Sequence, residues 1–440
     1  MQKVPIAPMK TIQNAFNRFL AMESSSSILL IGSAILAIFL ANSALSETYF
    51  GFLETKFSIS LGEFSLSKTI IHWINDGLMV IFFFVIGLEI KRELMAGELQ
   101  SIKKSALPII AAVGGMVVPV VIFLAVNPGG ESAKGWGIPM ATDIAFSLGI
   151  LQLLGKRVPV SLKIFLTAFA IIDDLGAVLI IAFFYSSQII WKYILISMAI
   201  YSILIVITIL RLNLRYFYLF CGIIIWYLFL KAGIHPTIAG VLMALVTPVT
   251  RKIGKLTFSK SMREVVNDFE NTKTPGIFLN YRQIEAIGRA ETLVQNIQPY
   301  LQSLEHRLHA WVAYLIMPVF ALANAGVKFN FQASGGINPL ALHIGLALLA
   351  GKVIGISAFS YLGVRLKLVN LPDNTEFKHI IGISFLGAVG FTMALFINSL
   401  AYTDEVLINS AKLGIIIASV IAGIIGYFLL KRWLKPSSLN

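Results

Sequence analysis

The chain has 440 residues, 57% of them hydrophobic and only 13% charged, with a mean hydropathy of +0.82 and a formal net charge of +13. A soluble domain carries about a quarter charged residues, so this composition excludes one and implies a protein that crosses a membrane many times. The excess of Lys and Arg does not imply nucleic acid, because the basic residues are sorted by side of the membrane rather than gathered on one face.

Apolar runs approaching the roughly 20 residues that a bilayer requires lie at 27–42, 68–89, 107–126, 139–154, 161–185, 190–210, 215–231, 233–249, 309–327, 338–364, 379–401 and 411–430. They predict an all-α membrane protein of twelve transmembrane helices. Before the first run, Ile12, Phe16, Phe19 and Leu20 share a helical face that excludes Lys10, Asn14 and Arg18, which predicts an interfacial helix over 10–22. That leader sets the 27–42 run apart from a cleaved signal peptide. With Lys3, Lys10 and Arg18 placed inside, alternation of sides puts most Lys and Arg inside and makes both termini cytoplasmic.

Between the first two runs, residues 47–68 predict a small outer β-hairpin. Phe57, Ile59 and Leu61 alternate with polar residues, Gly62-Glu63 supplies a turn, and Phe64 and Leu66 alternate again. A lone hairpin is marginal in water, so it either lies on its own bundle or pairs with a second copy. The inner segment 250–304 is polar up to Tyr281 and then helical in pattern through Ile284, Ile287, Leu293 and Val294, which predicts a cytoplasmic loop with one amphipathic helix. The chain 1–440 thus reads as one membrane transporter domain. The single Cys221 lies in an apolar run and reads as a packed residue.

Four ionisable residues fall inside apolar runs: Asp143, Asp173, Asp174 and Lys352. Each charge at a bilayer centre opposes insertion by roughly 2.5–3.5 kcal/mol, which makes it a functional candidate by default. Asp143 lies in Pro139-Met-Ala-Thr-Asp143, a composition that interrupts a helix, and Gly387-Ala-Val-Gly390-Phe-Thr392 repeats the pattern in the other half. Two interrupted segments in corresponding places point to inverted repeats around a midplane site. Facing half-helix ends would carry partial charges that Asp143 and Lys352 have the signs to neutralise; as plain structure, one is a helix cap and the other a counter-ion.

Asp173 and Asp174 are successive on a helix, so their side chains diverge by about 100° and do different things. One can face a water-filled funnel while the other meets a neighbouring span, for instance at Lys352. Carboxylate oxygen binds protons and hard cations alike, and competition between H⁺ and Na⁺ for one carboxylate couples two fluxes. Asp76 falls near the outer end of its span and reads as structural. Glu89, Arg92 and Glu93 at the inner end read, as plain structure, as a solvated helix cap; with Glu305, His306 and His309 on the same side, which are either an interfacial anchor or a pH-sensing cluster, they are pH-sensing candidates, and His235 is a further titratable candidate.

These residues resemble the NhaA family of bacterial sodium/proton antiporters. The likeness is carried by Ile74-Asn-Asp-Gly-Leu-Met79, Gly87-Leu-Glu-Ile-Lys-Arg-Glu93, Ala141-Thr-Asp-Ile-Ala-Phe146, Ala170-Ile-Ile-Asp-Asp-Leu-Gly176, Trp311-Val-Ala-Tyr314, Phe320-Ala-Leu-Ala-Asn-Ala-Gly326, Gly351-Lys352 and Gly390-Phe-Thr-Met393. The resemblance implies discontinuous, crossing helices at spans four and eleven, Asp173 and Asp174 as carriers of Na⁺ and H⁺, and Lys352 as partner of the first. It implies that Thr142, Asp143 and Thr392 belong to the crossing, that Glu89, Arg92, Glu93 and Glu305 form a pH-responsive mouth, and that the hairpin joins two protomers. Electrogenic export of Na⁺ or Li⁺ against protons across the bacterial inner membrane, with no cofactor, is the expected activity.

Three departures bear on regulation: Ala388 stands where the family usually has Gly, Ala310 where it has Pro, and 250–304 is long. Two rivals use similar residues. A passive cation channel would need the carboxylates but no proton coupling. An intramembrane aspartyl protease would need Asp143 and Asp173 to share a proton at about 3 Å, and the Gly-x-Gly-Asp motif of such enzymes is absent.

Overall fold

The computed structural model describes residues 8–61, 64–186, 189–210, 215–251, 253–271, 278–328 and 338–434. Helix α1 (Pro8–Ala41) turns by 111° into α2 (Ser46–Glu54), and strands β1 (Lys56–Leu61) and β2 (Phe64–Thr69) follow. Then come α3 (Ile70–Ala96), α4 (Ile102–Val126), a 3₁₀ segment (Glu131–Met140), α5 (Ile144–Leu153), α6 (Val160–Phe184), α7 (Trp191–Ile209), α8 (Arg215–Ala232) and α9 (Thr237–Val246). The remainder is α10 (Lys255–Asn271), α11 (Tyr281–Ile297), α12 (300–324), α13 (Pro339–Arg365), α14 (Phe377–Gly387), α15 (Phe391–Ala401) and α16 (Glu405–Trp433).

Six of these helices are long and apolar enough to cross a membrane, or eight if each bent pair counts as one span, and α5, α8 and α9 hold shorter apolar helices. The molecule is therefore a helical multi-pass membrane protein with one small sheet. The strands pair antiparallel with Ile59 opposite Leu66, and Ser58 Oγ donates to Ser67 Oγ at 2.7 Å. The hairpin leans on its own α3: Trp73 Nε1 donates to Phe57 O at 2.9 Å, and Lys68 Nζ lies 2.5 Å from Asp76 Oδ2. Phe57 and Ile59 stay exposed. The turn expected at Gly62-Glu63 lies outside the described residues.

Two expectations differ in detail. Residues 47–54 are helical rather than part of the hairpin, since Phe50 and Leu53 have no polar partner to alternate with. The 250–304 segment holds two amphipathic helices, α10 and α11, packed on each other. Phe258, Met262, Val265 and Phe269 make a helical stripe on α10 that its charged and Asn/Thr-rich composition hides. Helix α1 is continuous from Pro8, and the side chains behind the interfacial reading of 10–22 lie outside the described residues.

Two close helix pairs frame the interior. On α4 and α13, Gly114 and Gly355 meet so closely that a Cβ on either would strike the other's carbonyl oxygen. On α3 and α9, Gly240 sits against Val80 O in the same way. Helix α6 packs on α4 and, more lightly, on α3, so Asp173 and Asp174 are held between the two pairs. Lys352 directly follows the π-helical turn Ala347–Gly351, a local widening of the kind often found at functional sites.

A candidate functional site at two helix breaks

Both sequence-predicted breaks are present. Pro139 supplies no N–H, and Ala141 (φ −76°, ψ 143°) and Asp143 (φ −93°, ψ 100°) are extended, so the chain leaves helix between Met140 and Ile144. In the other half, α14 and α15 are bent by 45° at Ala388–Gly390. Ala388 (φ −83°, ψ 1°) needs no left-handed backbone, so the missing glycine there introduces no strain.

Unwound backbone in a membrane interior must find partners, and each break supplies those of the other. Asp143 N donates to Val389 O at 2.7 Å, Thr142 Oγ1 to Gly387 O at 2.8 Å and Ser147 Oγ to Leu386 O at 2.7 Å. In return the Asp143 carboxylate accepts from Phe146 N at 3.0 Å, from Thr392 N at 3.0 Å and from Thr392 Oγ1. One carboxylate thus caps the positive ends of two half-helices. Ser419 Oγ accepts from Phe391 N at 3.1 Å and completes the second cap.

Lys352 Nζ lies 2.9 and 2.8 Å from the Asp173 oxygens and donates to Thr142 Oγ1 at 2.8 Å. Its side chain and that of Asp173 are wholly buried, and it reaches the C-terminal end of α14 only through Thr142. Asp174, on the next turn position, is equally buried but forms no hydrogen bond or ion pair among the described residues. Its charged neighbours are Asp173, Asp143, Glu89 and Lys352. Asp143 and Asp173 are each engaged by other groups, an arrangement unlike a proton-sharing protease dyad. Among the described residues no cluster of three or more His, Cys, Asp and Glu could hold a resident metal ion.

The mouth candidates converge on one arginine. Arg92 Nε donates to both Glu305 oxygens at 2.9 and 3.1 Å, Arg92 Nη1 lies 2.7 Å from Glu93, and Nη2 lies 3.9 Å from Glu89. Burial pushes the Glu305 carboxyl up, against the downward pull of Arg92. His235 stands apart, at the hairpin end: Nδ1 is 2.6 Å from Thr237 Oγ1 and Nε2 is 3.8 Å from Asp76.

Comparison with known proteins fits this geometry. A profile of the family described as Na⁺/H⁺ antiporter 1 matches residues 17–430. The chain belongs to the Na⁺/H⁺ antiporter 1 family. Among its relatives, the Na⁺/H⁺ antiporter NhaA of Oleidesulfovibrio alaskensis is 45% identical over 97% of this chain and 96% of its own length. That of Bacteroides fragilis is 45% identical over 97% and 99%, and NhaA 1 of Saccharophagus degradans 42% identical over 96% and 92%. Membership in the Na⁺/H⁺ antiporter 1 family makes the chain a multi-pass bacterial membrane transporter, not an enzyme.

Sequence reasoning missed Ser147 and Ser419, which hold half-helix ends. Ser147 stands one turn after Asp143, so a hydroxyl at helical spacing from a break was an available signal; Ser419, on a separate helix, is marked only as a small hydroxyl in an apolar run.

Proposed function

We propose that the chain is a secondary Na⁺(Li⁺)/H⁺ antiporter that exports sodium in exchange for external protons. The carrying observation is the contrast between adjacent carboxylates: Asp173 held by Lys352, Asp174 buried with no bonded partner among the described residues. Asp174 supplies acceptor-only oxygen for a dehydrated cation, and the same oxygen takes a proton when the cation leaves. Asp173 joins it as second ligand once the Lys352 contact loosens, with Thr142, Asp143 and Thr392 balancing charge at the crossing of the two broken helices. Occupancy by one ion excludes the other, so exchange is obligatory. More protons than sodium ions move per cycle, and the membrane potential then drives transport at about 2.3 kcal/mol per charge per 100 mV.

In this reading twelve spans, in inverted repeats, cross the inner membrane with both termini cytoplasmic. The chain 1–440 is one transporter domain, with 10–22 at the interface and 250–304 a cytoplasmic segment. The Glu89, Arg92, Glu93 and Glu305 cluster tunes activity to cytoplasmic pH, with His235 as a titratable group on the far side. The bundle sits in the lipid bilayer, and the exposed edge of the hairpin joins two protomers on the outer side.

The test is sodium-dependent collapse of an imposed pH gradient in proteoliposomes, with external Na⁺ or Li⁺ varied. Collapse that requires the cation and reverses with its gradient is expected. Sodium flux that proceeds without proton movement would replace this reading with a passive channel.

A further inference from the structure

The 3₁₀ segment Glu131–Met140 is unusual in length. Such helices bond poorly and rarely exceed one turn. It leads directly into Ala141, Thr142 and Asp143, and it lies at the hairpin end, because α4 climbs there from the Arg92 end over 25 residues, about 37 Å.

Two tyrosines hold this segment from outside. Tyr185, just past the end of α6, accepts from Gly137 N at 3.2 Å and donates to Lys134 O at 3.0 Å. Tyr402, just past the end of α15, donates to Ser132 O at 2.5 Å. Helix α6 carries Asp173 and Asp174, and α15 carries Thr392, so each latch ends an element that enters the buried centre. The fit leaves no slack: a Cβ on Gly137 would lie 2.8 Å from the Tyr185 hydroxyl, and one on Gly135 would strike the Tyr402 hydroxyl. Trp136, between the two glycines, packs on Phe184 at 5.0 Å and on Tyr185 at 6.3 Å.

The closed arrangement is also imperfect. Asn127 Oδ1 accepts from Ser132 Oγ at 3.1 Å, but its Nδ2 is buried with no partner among the described residues. A buried donor without an acceptor destabilises the state that buries it, and water would satisfy it once the segment lifts. Weak 3₁₀ bonding, two discrete latches and an orphan donor describe an element held closed by few bonds.

We propose that Glu131–Met140 is the seal over the ion site at the hairpin end, and that the Tyr185 and Tyr402 hydroxyls are positioning groups that latch it shut. Their release opens the centre to that side. The assignment rests on the antiport reading and specifies the part that moves in alternating access.

The test uses the full chain in oriented membrane vesicles, with Cys221→Ala as background and Met140→Cys, at the buried inner end of the segment, as reporter. A membrane-impermeant thiol reagent is applied from each face. Tyr185→Phe and Tyr402→Phe keep the rings and delete the hydroxyls; each is expected to speed labelling from the hairpin face by several-fold, up to about tenfold. Labelling from the Arg92 face should not change. Gly135→Ala, which presses a methyl on the Tyr402 hydroxyl, should act in the same direction. Unchanged labelling from the hairpin face in all three variants overturns the proposal, as does an equal rise from both faces, which reports a loosened fold rather than a seal. Labelling reads conformation without transport, so absence of Na⁺/H⁺ exchange in the unsubstituted chain sinks the antiport reading alone.

Discussion

The molecule gathers ionisable groups in two places and treats them differently. At the centre, Lys352 and Asp173 have wholly buried side chains. At the mouth, Arg92 is 35% exposed and is shared among Glu89, Glu93 and Glu305. A buried pair suffers a desolvation penalty that only its partner offsets, whereas a cluster whose arginine is 35% exposed is partly relieved by solvent. The centre is thus committed to a few arrangements, while the mouth shares one cation among three carboxylates.

The largest effect should come from dividing the buried pair. Lys352→Met leaves Asp173 without its cation and is expected to lower stability by roughly 3–5 kcal/mol, read as thermal unfolding in detergent. A loss as small as that of a surface pair would show that water reaches the centre. Next is Asp143→Ala, which uncaps two half-helix N-termini at about 1 kcal/mol or more each. The same unfolding assay, with Thr392→Val alone as comparison, separates the shared cap from its single hydroxyl bond, expected at about 1 kcal/mol.

The mouth should lose less stability than the buried pair on Arg92→Gln, because the arginine is 35% exposed. Its effect belongs to pH instead. Arg92 pulls the Glu305 carboxyl down, so its removal lets that group climb further and hold its proton to higher pH. The pH profile of sodium-dependent gradient collapse should therefore move to the alkaline side. A shift the other way, or none with the protein intact, would detach the cluster from regulation.

What was legible in the sequence follows the same division. Charges in apolar runs stand out because hydrocarbon tolerates so few, so Asp143, Asp173, Asp174 and Lys352 could be named, and Pro139 and Gly390 marked the breaks. The partners could not be read equally well. That Asp143 would cap both half-helices, or that Thr142 would stand between Lys352 and Gly387 O, depends on how two segments 245 residues apart meet. Composition also concealed α10, where Phe258, Met262, Val265 and Phe269 are spaced for one face among charged neighbours. The convergence of Glu93 and Glu305 on Arg92 was half legible, since all fall at the inner end, but the arginine's central position is a matter of packing.

The central claim is that Na⁺ and H⁺ compete for the buried carboxylates, and proton release on adding Na⁺ to the purified protein in weakly buffered detergent tests it most directly. The native chain should release protons in proportion to the Na⁺ bound, and Asp174→Asn should release none. Sodium binding without proton release, or undiminished release from Asp174→Asn, would contradict the account.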